Sequence, residues 1–498
     1  MHIHLVGVAG TGMGSLAGML VELGHSVSGS DTDFHPPMGP ALAEWGVECR
    51  PGFVAHNLEP APDLVVIGNV CRPENPEARA AFERGLEVTH IAGALQRFVL
   101  DSCVPVVVCG THGKTTTASM CAWLLESAGR SPGFFVGGIP ENFGRGFRGP
   151  REGGAFVMEG DEYDTAFFEK TAKFLHYRAK HAILTSIEHD HIDIYPTLAS
   201  YTDAFRRFVS GLPASGVLVA NADDPAVVNV VGEFALCRIA WYSSHNNAAE
   251  SSSELWHARA VEQRENTQHF ELFKGNSRRC AFELPLSGEH NLANAIAAVV
   301  VSHECFGVPL QVAAAGLARF SGSKRRQQLL ATIDGVNVYD DFAHHPTAVE
   351  KTLAGLKQRH PGGRLLAAFE PRSATACRRL HQERYTDAFG AADEILLAPV
   401  GRPELGALER LDTEQLASDL RARGKNARAF QSRPANAPDP GPELDAIEAI
   451  ITHLSARARP GDTIVLLSNG AFGGIHSKLI VELQSRLDLE SPDINPKD

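Results

Sequence analysis

Val104-Pro105-Val106-Val107-Val108-Cys109-Gly110-Thr111-His112-Gly113-Lys114-Thr115-Thr116-Thr117 is the stretch around which the chain is organised. The valine-rich start predicts a buried strand and Gly110 to Gly113 a tight loop. From Lys114 a helix is expected, with Met120, Trp123, Leu124 and Ala128 at helical spacing and Gly129 placed to stop it. This is the context of a phosphate-binding loop. Glycines let backbone N–H groups close on phosphates, and the helix N-terminus adds partial positive charge. Lys114 would reach the β/γ-phosphates and the Thr115 hydroxyl a Mg²⁺ ion. A plain glycine turn explains the loop but not strand, glycines, lysine, hydroxyl and helix arriving in order. Position 108 is Val where the usual G-x-x-x-x-G-K-[ST] loop has its first glycine. The shortened G-T-H-G-K-T argues against an ordinary kinase or GTPase.

Upstream, His2 to Val8 reads as a strand, Gly7 to Gly14 as a glycine loop, residues 13–24 as a helix, and His25 to Gly29 as a strand ending in Ser30-Asp31. An acid about 20 residues after the loop fits a dinucleotide-type fold, although Ala9 fills the second glycine position. The functional reading is a nucleotide diphosphate on the helix N-terminus, with Ser30 and Asp31 near the sugar. A purely structural half-fold is the alternative. Asp63 to Asn69 is a further strand. A boundary near Leu100-Asp101-Ser102 closes this unit.

Downstream, Ala155-Phe156-Val157-Met158 is a short strand running into E-G-D-E-Y-D (159–164). A carboxylate past a strand end, beyond a phosphate loop, is where a second magnesium contact belongs, and Glu159 lies nearest. His181 to Ile187 is another strand, ending in E-H-D-H-I-D (188–193). Spacing alone suggests zinc, while the place beside a nucleotide site favours a shared metal or substrate role. Ser243 to His257 reads as an exposed loop, and Ser244 to Gly275 as irregular. G-E-H-N-L-A-N (288–294) opens an alanine-rich helix to about residue 304. Asn291 and Asn294 share one face of it, suited to adenine or to capping.

A second boundary falls at Phe320 to Ser323, followed by Lys324-Arg325-Arg326, a local positive site. The last third alternates strands and helices again, with D-D-F-A-H-H-P (340–346), E-P-R-S (370–373) and S-N-G-A-F-G-G (468–474) after strand ends. Gln431 to Glu443 reads as a loop and Asp488 to Asp498 as a poorly ordered polar tail. The expected architecture is α/β in three domains: Rossmann-like residues 1–101, a central P-loop ATPase-type domain over 102–321, and a Rossmann-like domain over 322–498.

With 498 residues and 44% hydrophobic content, each domain can bury a core. A net charge of −13 without a basic block makes nucleic acid an improbable partner. Nine scattered cysteines without a C-x-x-C pair argue for reduced thiols rather than a disulfide framework or zinc site. No run of 18 apolar residues and no signal peptide is found, so no membrane insertion and a cytoplasmic location are expected.

Taken in order, G-V-A-G-T-G-M, G-T-H-G-K-T-T-T, E-G-D-E-Y-D, E-H-D-H-I-D, G-E-H-N-L-A-N, K-R-R and D-D-F-A-H-H-P resemble the Mur ligases, the ATP-dependent amide-forming enzymes of peptidoglycan assembly. The glycine-loop first domain and D-D-F-A-H-H-P imply the branch acting directly on UDP-N-acetylmuramate. One type in that branch adds L-alanine. Another re-attaches the recycled tripeptide L-alanyl-γ-D-glutamyl-meso-diaminopimelate. E-G-D-E-Y-D-T-A-F-F (159–168), P-E-N-F-G (140–144), F-E-P-R-S (369–373) and S-N-G-A-F-G-G-I-H (468–476) are more similar to the second.

The resemblance implies bacterial, cytoplasmic amide formation through an acyl phosphate, with ATP as substrate and two Mg²⁺ ions. ATP contacts are implied at Gly110, Thr111, His112, Gly113, Lys114, Thr115 and Thr116, at His290, Asn291 and Asn294, and at Arg326, Asp341 and His344. Thr115, Glu159 and His191 match metal ligands, and Lys114, Glu159 and His191 the catalytic set. Gly10, Thr11, Gly12, Met13, Ser30, Asp31 and Asn69 match the UDP side, and Asn142 the muramate. Arg372, Ser373, Asn469 and His476 are candidates for the murein tripeptide, since a guanidinium grips carboxylates bidentately. Several Mur ligases carry a carbamylated lysine after the D-H motif. From His191 to Leu212 this chain has none, only Asp203, Arg206 and Arg207 as candidates, so no carbamate is expected.

A nicotinamide oxidoreductase would explain only the first 100 residues, and a nucleotide-gated switch only the phosphate loop. A folylpolyglutamate synthetase-like ligase is disfavoured by the Rossmann-like first domain.

Overall fold

The computed structural model describes residues 1–490 except 37, 246–252, 403 and 432–444. Residues 246–252 of the expected exposed loop, the proline-rich stretch after Gln431 and the tail from residue 491 therefore lie outside the described residues, whereas residues 488–490 of the expected tail end the helix Ile475–Glu490.

Three large sheets follow one another along the chain, with a separate antiparallel pair, Asp164–Ala166 and Glu169–Ala172, in the central part. The first is all-parallel, in spatial order Glu48–Pro51, Ser26–Asp31, His2–Val6, Leu64–Ile67, Val88–His90. Helix Thr11–Glu22 follows the first strand, with Gly10 as N-cap. The predicted helix and second strand are present, shifted by about two residues. Gly7 has a φ of +85°, and its N–H and that of Val8 donate to the Ser30 carbonyl at 2.8 and 3.0 Å. The loop is thus folded back onto the neighbouring strand.

Ser30 departs from its expected role. Its side chain is fully buried and donates to Glu77 Oε1 at 2.8 Å. Glu77 is itself buried, bonded to His4 through Nε2 and to Asn57 through Nδ2 at 3.0 Å. The Ser30 hydroxyl is therefore consumed by the core. Losing one partner of a buried pair leaves the others unsatisfied, so Glu77→Ala should cost about 3–5 kcal/mol. Urea unfolding checks this, and a change under ~1 kcal/mol would show that the network is dispensable.

The central sheet has ten strands. Val104–Cys109 lies between Ala155–Gly160 and His181–Leu184, parallel to both. These strands are covered on both faces, so they read as unbroken apolar runs rather than alternating ones. Parallel pairing brings their C-terminal ends to one edge, where ligands bind in such sheets. That edge carries the phosphate loop, Glu159 and the segment 185–193.

Within the expected irregular stretch Ser244 to Gly275, the described residues from Trp256 on instead belong to an antiparallel meander: Trp256–Arg264, Thr267–Lys274 and Ser277–Leu284. Only alternate residues of its middle strand are buried, so it lacks the continuous apolar run of the inner strands.

The third sheet runs Gln328–Ile333, Val336–Asp341, Thr463–Leu467, Leu365–Phe369, Glu394–Leu397, Asn426–Ala429, with only the first strand antiparallel. Its strand ends present Asp341, the 370–375 turn and Ser468 to Gly470 towards the central domain. No helix among the described residues is long and apolar enough to cross a membrane.

Candidate active site

A cleft of about 2490 Å³ runs between the three domains. Thr11 and Asn69 line it from the first domain. The phosphate loop, Glu159, Glu162, His191 and His290 line it from the second, and Arg326, Asp341, His344, Arg372 and Asn469 from the third.

The phosphate loop is shaped by two glycines at positive φ, Gly110 at +128° and Gly113 at +80°. A Cβ on Gly110 would lie 2.1 Å from Thr185 Oγ1, and one on Gly113 would lie 2.4 Å from Asn294 Oδ1. No other residue type fits either place without displacement. Helix Lys114–Ser127 begins directly after Gly113. Thr116 is buried in its first turn.

Lys114 Nζ donates to Gly110 O at 2.7 Å and to Glu162 Oε2 at 2.8 Å. Burial opposes its charge, but Glu162 and Asp161 outweigh that and raise its pKa. Glu162 is almost fully buried. Burial alone would raise its pKa, yet Lys114 and His191 pull it down to about 2. His191 lies 3.2 Å from Glu162 Oε1. Burial disfavours the imidazolium, but Glu162 and Asp190 more than offset it and lift the pKa to about 9. Two cations therefore flank one buried carboxylate beside the loop.

Thr115 Oγ1 donates to Glu159 Oε1 at 2.8 Å, and the other oxygen of Glu159 accepts from Gly137 N at 2.8 Å. Burial, reinforced by the like charge of Asp161, raises the Glu159 pKa. A hydroxyl and a carboxylate pressed together, with carboxyl charge in excess, form an all-oxygen donor set that suits Mg²⁺. His191 faces Glu162 rather than Glu159, so the three expected metal ligands do not converge here.

Arg326 reaches across from the third domain to Thr115 Oγ1 at 3.0 Å. Asp341 accepts from Gln327 N and Ala343 N at 2.7 and 2.8 Å. Burial raises its pKa despite those contacts and the nearby Arg326. His344 lines the cleft; burial lowers its pKa. His290 also lines it, with a buried Nδ1 that has no partner among the described residues. Burial, with Lys351 as the next cause, pushes the His290 pKa down to about 3, leaving a neutral ring. Asn291 is buried and bonds to Ser287 O at 2.8 Å, whereas Asn294 faces the loop.

Four further expectations, at Asn142, His476, Asp31 and Met13, meet a different arrangement. Asn142 is tied to the 319–321 segment, by Nδ2 to Arg319 O at 2.9 Å and by Oδ1 from Ser321 N at 2.9 Å. It clamps the domain linker and does not line the cleft. His476 sits 3.1 Å from Asp340, away from the cleft lining. Asp31 accepts from Ala9 N at 2.9 Å and braces the glycine loop from behind. Met13 is core, while Gly10 and Gly12 belong to the helix start.

On the third-domain wall, Arg372 is half-exposed and 3.4 Å from Glu370. A Cβ on Gly470 would lie 2.1 Å from Arg372 Cδ, so the glycine makes room for that side chain. Ser373 caps the next turn, accepting from Ala376 N at 2.9 Å. Asn469 Oδ1 is buried without a partner among the described residues. Arg402, not foreseen from the sequence, joins this wall. It follows an unremarkable turn and carries no motif.

Of the E-H-D-H segment only Glu188 joins a cluster of metal-capable side chains, with His112 and His345, and there its Oε2 already accepts from His112 Nε2 at 2.8 Å. His189 bonds to Tyr195 O at 2.8 Å, and Asp190 accepts from Thr375 Oγ1 at 2.5 Å. Elsewhere His90, Glu169 and His176 lie close together between the first two domains. His90 Nδ1 accepts from Gly93 N at 3.1 Å, which puts its proton on Nε2, facing Glu169 at 3.0 Å. That tautomer makes the group a hydrogen-bonded link rather than a metal cage.

Models of the Mur ligase family match three consecutive stretches: the catalytic domain over residues 2–102, the middle domain over 108–302 and the glutamate ligase domain over 325–470. The chain is 33% identical over 97% of its length to the UDP-N-acetylmuramate–L-alanyl-γ-D-glutamyl-meso-2,6-diaminoheptandioate ligase of Haemophilus influenzae, covering 99% of that protein. It is 33% identical over 94% of its length to the UDP-N-acetylmuramate–L-alanine ligase of Rhizobium etli, covering 94% of that protein. The crystal structure of a murein peptide ligase from Psychrobacter arcticus superposes with a TM-score of 0.71 at 33% identity, covering 97% of this chain and 99% of that one. The chain belongs to the Mur ligase family. Members of that family are ATP-dependent, ADP-forming amide ligases that use Mg²⁺.

Proposed function

We propose that this protein joins UDP-N-acetylmuramate to the tripeptide L-alanyl-γ-D-glutamyl-meso-diaminopimelate, with ATP consumed to ADP and phosphate, in the recycling of bacterial peptidoglycan. The observation that carries the reading is one cleft with three differently equipped walls. A glycine loop and Asn69 stand on one side, a phosphate loop with an oxygen metal cradle in the middle, and two guanidiniums, Arg372 and Arg402, opposite. L-Alanine brings one carboxylate, whereas the tripeptide brings several, and a paired-arginine wall suits the latter. L-Alanine addition is the second reading, since relatives of both kinds share similar identity with this chain.

In the proposed reaction the lactyl carboxylate attacks the γ-phosphorus of ATP, ADP departs, and an acyl phosphate forms. The peptide's amine then attacks the acyl carbon, and the tetrahedral intermediate expels phosphate to leave the amide. The difficulty is bringing two anions together, and positioned cations solve it. Lys114 is held at the mouth of the loop by Glu162, which phosphate oxygens would replace as its partner. Arg326 adds a second cation from the third domain. His290 and Asn294 flank the nucleotide side. Thr115 and Glu159 would hold Mg²⁺, which bound there supplies charge neutralisation on the phosphates, and the imidazolium of His191 would add positive charge beside Lys114. Gly10 to Gly12 and Asn69 would receive the UDP group, and Arg372, Arg402 and Asn469 the peptide. Domain closure would exclude water from the acyl phosphate. Reduced, unpaired cysteines accord with a cytoplasmic setting.

ADP release with product mass, from UDP-N-acetylmuramate, ATP and Mg²⁺ with either amine, tests the proposal. Turnover with the tripeptide and little with L-alanine is expected. Turnover mainly with L-alanine would move the protein to the biosynthetic branch.

A further inference from the structure

We infer that Glu188 is a positioning residue for the ligation: one carboxylate that ties the phosphate loop to the third domain and so sets both in register over the reacting groups. The inference rests on the ligase reading above. Glu188 lies four residues past the strand His181–Leu184 and is not among the groups that reading employs.

Its backbone is fixed to the loop. Thr111 Oγ1 donates to Glu188 O at 2.9 Å and accepts from Glu188 N at 2.8 Å. Its carboxylate is shared between two domains. Oε2 accepts from His112 Nε2 at 2.8 Å. Oε1 accepts from Thr347 Oγ1 at 2.9 Å and from Arg384 Nη2. His345 Nδ1 stands 3.8 Å from Oε2. His345 and Thr347 form the N-terminus of helix Pro346–Arg359, whose dipole favours a negative charge nearby.

Other ties between the central and third domains among the described residues include Arg326 with Thr115 and Thr375 with Asp190. Glu188 differs because the two residues on its central side, Thr111 and His112, immediately precede Gly113 and Lys114. Moving the third domain away would release the carboxylate's outer oxygen. Its inner oxygen and its backbone would then be free to shift with the loop. Burial works against the Glu188 charge, but hydrogen bonds from His112 and Arg384 hold its carboxyl well below the usual range. The carboxylate therefore stays ionised across the working pH range and holds its partners. Arg384 is half-exposed, so it can be removed without opening the core.

The test uses the full chain in four forms beside the wild type: Glu188→Gln, Arg384→Ala, Arg384→Lys and the double variant Glu188→Gln/Arg384→Ala. Each single loss of the charge-assisted contact should lower kcat about tenfold, leave the KM for UDP-N-acetylmuramate unchanged, and raise the radius of gyration in small-angle scattering. Because both changes break one link, the double variant should fall no more than about twofold below Glu188→Gln, and Arg384→Lys should recover part of the rate. Losses that multiply in the double variant would overturn the inference, as would wild-type kcat and scattering in both single variants. If Glu188→Gln fails to fold, the two Arg384 forms still decide through kcat, KM and scattering. If the wild type itself shows no ligation, the functional reading fails, and scattering together with ATP affinity still reports whether Glu188 and Arg384 form one link.

Discussion

Lys114→Ala is expected to reduce kcat for tripeptide ligation by about 10³-fold while the protein remains folded. Lys114 is the cation nearest the loop carbonyls, 2.7 Å from Gly110 O, and Glu162 and Asp161 overcome burial to keep it protonated. Its positive charge meets the developing negative charge on the transferred phosphoryl group, so its removal acts on the transition state more than on the ground state. A fall in kcat larger than the rise in the KM for ATP is the expected pattern. His191 remains as a partner for Glu162, 3.2 Å away, which limits the structural damage. Steady-state ADP release, with circular dichroism as a folding control, checks the prediction. Activity within tenfold of wild type would remove Lys114 from the chemistry.

Glu159→Gln should produce the second largest effect, about 10²-fold in kcat, with a rise in the Mg²⁺ concentration needed for half-maximal rate. The amide is nearly isosteric and can still accept from Gly137 N or Thr115 Oγ1, so the fold should persist. What it loses is the negative charge that makes the Thr115–Glu159 pair a site for a hard cation. A Mg²⁺ titration of the rate reads this directly. An unchanged Mg²⁺ dependence would mean that the metal is held elsewhere along the cleft.

The residues on which those predictions rest were legible because each sits at the end of a continuous apolar strand. Val104–Cys109, Ala155–Gly160 and His181–Leu184 announce themselves as buried parallel strands, and parallel pairing then forces their ends to one edge. The loop glycines were legible for a related reason: two positive-φ positions beside a lysine and a threonine leave few other structures open. The side chains that departed from expectation share a different property. Asn142 and His476 lie near cleft-lining segments and Ser30 at a strand end, but their partners, Ser321, Asp340 and Glu77, come from distant parts of the chain. Nothing local distinguishes a serine turned toward a ligand from one turned into the core. The antiparallel meander from Trp256 escaped because its strands alternate in burial and are rich in charge, so they resemble surface loop. Arg402 and Arg384 reach the site from turns and short helices without a motif, and only the folded arrangement of the third domain brings them to the cleft and to Glu188.

Arg372 and Arg402 should select the tripeptide over a single amino acid, because only the tripeptide brings several carboxylates to that wall. The most direct measurement is a competition in one vessel: limiting UDP-N-acetylmuramate, with ATP, Mg²⁺, and equal concentrations of L-alanine and L-alanyl-γ-D-glutamyl-meso-diaminopimelate. The ratio of the molar amounts of the two products at early times equals the ratio of the two kcat/KM values. The UDP-N-acetylmuramoyl tripeptide should dominate the mixture. A mixture dominated by UDP-N-acetylmuramoyl-L-alanine would contradict that selection.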